Sequence, residues 1–445
     1  MKRGVRVKVS GWGRVPVREA EEVLDEDLRA AVEGASLTRG LGRSYGDASL
    51  PRREGARVAA SRRADRLLAF DPESGVLRAE AGLSLARLHE LFLPRGFASP
   101  VAPGTEHVTL GGMVAADVHG KNHHGAGTFG AHVRALRLGL ADGRELEVSD
   151  AHEGELFRAT QGGMGLTAHI LEVELSLERI PSPWIWQETE PLRDLDELLE
   201  RLPVASAAWP FTVAFVDALA GGPALGRGAL VKGRWAGAAE APARAPGRGL
   251  RPTLPFELPD WALNRASARL VNAVYRVTSG RRAPGAVSPR AHFHPLDVVL
   301  EWNRAYGRSG FTQYQAVIPR EAGAAAVRRL FETVVASGVP PFLCVVKDLG
   351  AEGAGLLSFP RPGTTVSIDL PLRGGRTQAL VDALNRCVLE AGGRIYLAKD
   401  ALTRREHFEA MEGARLAAFD AVRRRFDPER RISSALAVRL LGDPA

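Results

Sequence analysis

Residues 103–130 read Pro103-Gly-Thr-Glu-His-Val-Thr-Leu-Gly-Gly-Met-Val-Ala-Ala-Asp-Val-His-Gly-Lys-Asn-His-His-Gly-Ala-Gly-Thr-Phe-Gly130, and upstream stands Arg39-Gly-Leu-Gly-Arg-Ser-Tyr-Gly-Asp47. Glycine reaches positive φ and lets the backbone come close to a ligand, so successive N–H groups of such a loop converge on an anion. Two loops of this kind in one domain predict a long ligand with a phosphate-bearing middle, gripped by main chain, and a flavin dinucleotide fits. The rival motifs fail on spacing. Gly40 and Gly42 open a G-x-G, but Tyr45 occupies the place of the third glycine and no amphipathic helix follows Gly46. Gly42-Arg-Ser-Tyr-Gly46 matches the G-x-S-x-G elbow of serine hydrolases, yet Pro51 stands where its helix should run, which argues against a nucleophilic Ser44.

At 445 residues the chain is long enough for two domains, and 45% hydrophobic with 25% charged residues is ordinary for a globular protein. No run is long and apolar enough for a membrane span, and Met1–Ser10 has charge without an apolar h-region, so no signal peptide is expected. Two cysteines, Cys344 and Cys387, point to a reducing compartment. The net charge of +7 comes from 59 Lys and Arg against 52 Asp and Glu, dispersed rather than gathered into a stripe with aromatics, which argues against nucleic acid. An arginine-biased surface also suits an anionic membrane face or a phosphorylated substrate.

Along the chain, Arg134–Ala141 and Arg144–Val148 predict a hairpin on the Asp142-Gly143 turn. Leu85, Leu88, Leu91 and Phe92 share a helix face closed by Pro94 and Gly96, and residues 166–177 alternate as a strand. Pro181-Ser-Pro183 marks a boundary. Residues 218–290, rich in Gly, Ala, Pro and Arg, predict long mobile loops around one helical segment at 260–277. Then strand 312–319, helix 321–337, strands 342–349 and 364–372, helix 377–391 and strand 394–398 spell β-α-β-β-α-β, an antiparallel sheet with both helices on one face. The tail from Thr403 to Leu441 reads as helix interrupted at Asp427-Pro428.

Ser10-Gly-Trp-Gly-Arg14, Arg39–Asp47, Pro103-Gly-Thr105, Thr109-Leu-Gly-Gly112, His119-Gly-Lys-Asn-His-His124, Trp302-Asn303, Gln313-Tyr-Gln315 and Tyr396-Leu-Ala-Lys-Asp400 together resemble the vanillyl-alcohol-oxidase superfamily of flavoenzymes. Within it the chain is similar to the branch that oxidises polyprenylphosphoryl ribose. The resemblance implies an α+β fold, with a two-subdomain FAD-binding domain plus an antiparallel-sheet substrate domain. The FAD domain would take residues 1–180 and 394–445, the substrate domain 181–393. Cofactor contacts would fall on Arg39, Gly40, Leu41, Gly42, Arg43, Ser44, Tyr45, Gly46, Gly104, Thr109, Leu110, Gly111, Gly112, Ala116, Asp117, Val118, His119, Ile170 and Tyr396. Many relatives attach flavin through a histidine where this chain has Arg43, so noncovalent FAD is expected.

The resemblance implies oxidation at C2 of the ribose of a polyprenyl-phosphate sugar, with Lys399 and His119 at the chemistry. Gln313, Gln315, Ser367, Lys399 and His294 would meet substrate, and an oxidase of a soluble sugar, alditol or lactone is the alternative. Alcohol oxidation by flavin requires a group that takes the hydroxyl proton, and a lysine on a buried strand end has its pKa lowered by desolvation. Ser367 stands where well-known relatives have a cysteine, so no thiol is offered to covalent inhibitors there. His119, His123 and His124 lie among glycines rather than on a helix, so no metal site is expected. His107 and His132 read as surface or packing residues. A separate NAD-dependent short-chain reductase would complete an epimerisation. Cytoplasmic residence with peripheral contact at the inner membrane face, or a periplasmic location without a signal peptide, both fit a lipid substrate.

Overall fold

The computed structural model describes residues 2–247, 249, 251–280 and 282–445. The chain opens with β1 (Val5–Ser10), β2 (Val17–Leu24), β3 (Leu37–Arg39) and β4 (Arg57–Ala60), a mixed sheet in the order β1-β2-β4-β3. A second, antiparallel sheet follows. Its strands β5 (Leu67–Asp71), β6 (Val76–Glu80), β8 (Val133–Gly139), β9 (Glu145–Val148) and β10 (His169–Ser176) lie in the order β5-β6-β10-β8-β9. The short β7 (Phe97–Ala98) pairs with β11 (Glu178–Arg179). The expected hairpin is β8–β9: Leu136 and Leu138 are buried, Arg137 between them reaches Glu147, and Gly143 takes φ 89° in the turn. The helix Leu85–Phe92 starts where the Ser84 hydroxyl accepts from Arg87 N, and Gly96 at φ 79° closes the turn after it.

The third sheet has eight antiparallel strands. They are β12 (Ile185–Leu192), β13 (Phe211–Val216), β14 (Gly228–Trp235), β15 (Gly285–Val287), β16 (Phe311–Pro319), β17 (Cys344–Leu349), β18 (Gly363–Pro371) and β19 (Arg394–Ile395). Their order is β15-β12-β14-β13-β17-β18-β16-β19. The last four in sequence are the predicted βαββαβ unit. The first four repeat its strand order, fourth-first-third-second, and the two units meet edge to edge at β13 and β17. Helices Leu195–Ala208, Gly323–Ser337 and Gly375–Glu390 cover one face: Tyr314 Oη reaches Asn385, and Arg328 pairs with Asp196 between two of the helices. The opposite face is turned by the two-residue alternation toward the first half of the chain.

Two expectations change. Residues 218–290 were expected as loops around one helical segment; they contain β14, β15 and the helix Arg265–Gly280, while residues 248, 250 and 281 of that stretch lie outside the described residues. Composition misled because the glycines are packing glycines. A Cβ on Gly228 would sit 2.1 Å from Phe215 O, and one on Gly233 would sit 2.5 Å from the His292 ring. The final strand stops at Ile395 instead of 398, because Lys399 N and Asp400 N bond back to Tyr396 O and Leu397 O in a turn. Among the described residues no helix is long and apolar enough to cross a membrane.

The C-terminal helices Arg405–Phe426 and Ala435–Leu440 return to the first sheet, where Ser433 N bonds Ser36 O and Ala435 N bonds Leu50 O. Arg423 locks this return. Only 1% exposed, it donates to Leu166 O and Ile432 O and grips both Asp443 oxygens at 3.0 and 2.6 Å. Arg423→Met leaves a buried carboxylate unpaired, so urea unfolding is expected to show a loss of roughly 3–5 kcal/mol. A change too small to resolve would show that the C-terminal return does not depend on this pair.

Candidate active site

Arg39 shapes the first glycine loop from outside it. Its guanidinium donates to Ser10 O, Ser49 O and Ser49 Oγ, and Gly42, at φ 62°, passes so close that a Cβ would lie 2.2 Å from Arg39 Nη2. The loop is then tied on both sides. Trp12 N and Gly13 N bond Ser44 O and Tyr45 O, while Tyr45 N bonds Ala398 O at 2.9 Å. The N–H groups of Leu41, Gly42, Arg43 and Ser44 donate to no protein acceptor in the described structure. These four donors, ordered and free, form a nest for an anion.

The second loop behaves differently. Leu110 N and Gly111 N bond Leu83 O and Ala81 O, and Gly112 N bonds Thr109 Oγ1. These three donors are spent inside the protein. The second supplies a smooth wall: Gly104, Thr109, Gly111 and Gly112 line the cavity, and a Cβ on Gly104 would project into open space.

The cavity runs between these loops and the bare face of the third sheet, and encloses about 1950 Å³ with its mouth. Gly40 to Tyr45, Ala116, Val118, His119, Ile170 and Tyr396 line it from the first half and the C-terminal turn. Gln313, Gln315, Ser367 and Lys399 line it on the sheet side. Four expected cofactor residues stand behind the wall. Arg39 braces the loop, Gly46 packs on Asp400 O, Leu110 is in the core, and Asp117 is buried against Ser358 Oγ and Gly130 N. His294 is not among the lining residues; it is fully buried, its ring 6.0 Å from that of His89.

Lys399 sits with Nζ 4.0 Å from the centre of the Tyr45 ring. Burial brings its pKa down to about 8, against the opposing pull of Asp369. Asp369 is itself pushed up to about 6 by burial, although the Gln313 amide and Tyr306 Oη donate to it. Gln313 and Gln315 do share the cavity face, and Tyr314 points to the helices. His119 is wedged between the Lys347 ammonium group, 3.1 Å from Nδ1, and the Gln315 amide, 3.0 Å from Nε2; burial, then Lys347, hold its pKa far below the usual imidazole value. His123 Nδ1 accepts from Gly350 N, and His124 Nε2 bonds Trp209 O, so the three histidines turn to separate partners.

Sequence reasoning missed three groups. Lys347 and Lys121 both line the cavity, and burial lowers each to about 7. Lys121 lay within the quoted His119-Gly-Lys motif. Asp369 shared strand parity with Ser367, a signal for a common face that went unused. Lys347 had none, because only the pairing of β17 with β18 carries it there. Arg43, whose guanidinium stacks 4.0 Å over Trp12, completes a lining with four cations and, in Asp297, one carboxylate.

Comparison with known proteins agrees with this geometry. Residues 17–149 match the family model described as FAD binding domain. Decaprenylphosphoryl-beta-D-ribose oxidase of Mycolicibacterium smegmatis is 35% identical over 451 aligned residues, covering 97% of this chain and 97% of its own. A protein of the mprA 5′ region of Streptomyces coelicolor is 36% identical over 80% of this chain and all of its own length. L-gulonolactone oxidase of Bos taurus is 32% identical over 31% of this chain and 30% of its own. FAD is the cofactor these relationships indicate, and the donor set fits it: free loop N–H groups for the pyrophosphate, glycine walls and a cationic lining. Gly42→Ala must strain φ and displace Arg39, so FAD affinity in a fluorescence titration is expected to fall at least about tenfold. Unchanged affinity would remove the first loop from cofactor binding.

Proposed function

The chain belongs to the FAD-dependent oxidoreductase family that includes decaprenylphosphoryl-β-D-ribose oxidase, and we propose that it oxidises the C2 hydroxyl of a polyprenylphosphoryl-β-D-ribose to the 2-keto sugar. The observation that carries this is Lys399: a buried amine beside the FAD-loop residue Tyr45, on a wall shared with Gln313, Gln315 and Ser367. Bound FAD supplies the hydride acceptor. The chain's own residues do the rest. Lys399, in its neutral form, takes the hydroxyl proton, and ionised Asp369 behind it pulls the other way, toward the charged form. Gln313 and Gln315 orient the sugar hydroxyls. His119, kept neutral by burial and by Lys347, gives the polar contact on the other side of the ring pocket.

Arg43, Lys121 and Lys347 supply positive charge for the phosphodiester of the substrate. The 2-keto product passes to a separate NAD-dependent short-chain reductase, which completes the epimerisation. FAD is held noncovalently, because Arg43 occupies the place of the linking histidine and its side chain is engaged on Trp12. The match to L-gulonolactone oxidase covers less than a third of the chain, so it does not bear on the substrate sheet. Turnover of a soluble sugar or lactone without turnover of a polyprenyl phosphoribose would replace the lipid substrate with that one.

For a base with a pKa of about 8, the reactive amine fraction rises with pH, so kcat/KM is expected to climb through pH 8 and then level. Lys399→Ala should retain FAD and lose roughly 10²–10⁴-fold in kcat, and Lys399→Arg, charged throughout, should abolish the rising limb. A flat profile in the wild type, or full turnover by either variant, would take the proton-accepting role from Lys399. Acid precipitation should leave the flavin absorbance in the supernatant; absorbance in the pellet would mean a covalent bond.

A further inference from the structure

The helix Arg265–Gly280 is turned inside out. Apart from Tyr275, the side chains it presents to the protein are small or polar: Ala268 and Ser279 are buried, and Asn272 Nδ2 donates to Asp217 Oδ1 at 2.8 Å. Its apolar residues face outward. Leu270 is 66% exposed, Val271 57%, Val274 54% and Val277 47%. The 3.6-residue pitch gathers Leu270, Val274 and Val277 into one stripe and sets Arg265, Arg269 and Arg276 along one flank. Residues 265–280 contain no aspartate or glutamate. Just before the helix, Trp261 is 77% and Phe256 61% exposed. A helix on a water-facing surface buries its apolar stripe; here the stripe is the outermost surface.

Position gives this helix a purpose. It lies on the cavity side of the third sheet, where the Tyr275 ring is 5.6 Å from that of Phe215, a residue of the cavity wall. An exposed apolar stripe, an arginine flank without acidic residues and an exposed tryptophan are the features of a helix that lies in the interface of an anionic bilayer. A second copy of the chain would bring the same arginines against one another, whereas anionic headgroups neutralise them.

We propose that the helix Arg265–Gly280, with Trp261 and Phe256, docks the protein on an anionic lipid surface and holds the cavity mouth against the bilayer. The inference rests on the oxidase reading for what the membrane delivers, a sugar whose polyprenyl tail stays in the lipid while the ribose enters the cavity. The docking itself is measured without turnover. The full-length flavoprotein is floated with vesicles of phosphatidylcholine alone or mixed with phosphatidylglycerol, and is expected to rise with the anionic vesicles. The combined Leu270→Ser, Val274→Ser and Val277→Ser variant, altered only at exposed positions, should stay at the bottom of the gradient. Replacing Arg265, Arg269 and Arg276 by Gln should weaken binding by about fivefold per arginine. Turnover of a water-soluble, short-chain phosphoribose should be unchanged in both variants. Wild type that does not float, or a serine variant that floats equally well, would overturn the docking surface. So would light scattering that shows a wild-type dimer dissolved by the serine substitutions. If the wild type floats but leaves the soluble phosphoribose untouched, the substrate reading fails while the docking surface stands.

Discussion

The hydrogen bond from Tyr45 N to Ala398 O joins two parts of the chain separated by the whole third sheet. It is reinforced by Gly46, which lies so close to Asp400 O that no Cβ fits, and by the Trp12 and Gly13 bonds on the other side of the loop. One consequence is electrostatic and the other geometric. The free N–H groups of Leu41 to Ser44 are held in one orientation, aimed at an anion. The same contact sets Lys399, the next residue after Ala398, above the Tyr45 ring. The glycine loop and the Lys399 amine are therefore positioned by a single junction.

The third sheet supplies the opposite wall, and its doubled βαββαβ order explains how. Helices Leu195–Ala208, Gly323–Ser337 and Gly375–Glu390 cover its outer face, and alternate side chains of its strands face the cavity. Beside Val213, Phe215 and Val345 that wall carries Lys347, and the facing loops add Arg43 and Lys121. Arg43, Lys121, Lys347 and Lys399 share a water-poor space with one lining carboxylate, Asp297. Desolvation destabilises their charged forms, which is why Lys121 and Lys347 fall to about 7. A neighbouring anion would offset that cost. His119, pressed between Lys347 and Gln315, stays neutral under the same field.

Much of the fold was legible because its signals are local. The hairpin at Asp142-Gly143, the helix closed by Pro94 and Gly96 and the second βαββαβ unit follow from period, turn dipeptides and glycine caps, all read within a few residues. The first unit was hidden for a physical reason. β14 is a central strand that needs glycine at Gly228 and Gly233 to let Phe215 and His292 approach, and glycine in a strand looks like a loop from sequence. The helix Arg265–Gly280 was seen, but its inverted exposure was not, since periodicity gives an apolar face without saying what that face meets.

The sequence by itself determined the glycine loops and the placement of Gln313 and Gln315 on one strand face. Each of these is a property of neighbours along the chain: positive φ and two-residue alternation. Only the tertiary structure decided which loop N–H groups stay free: Leu110 N and Gly111 N are taken by Leu83 O and Ala81 O, while those of Leu41 to Ser44 meet no acceptor in the described structure. It also decided that Lys347 and Asp369 stand beside Lys399's pocket while His294 is sealed in the core with His89. Charge and hydrogen-bond partners depend on distances between segments remote in sequence, and those distances exist only once the sheets have closed on each other.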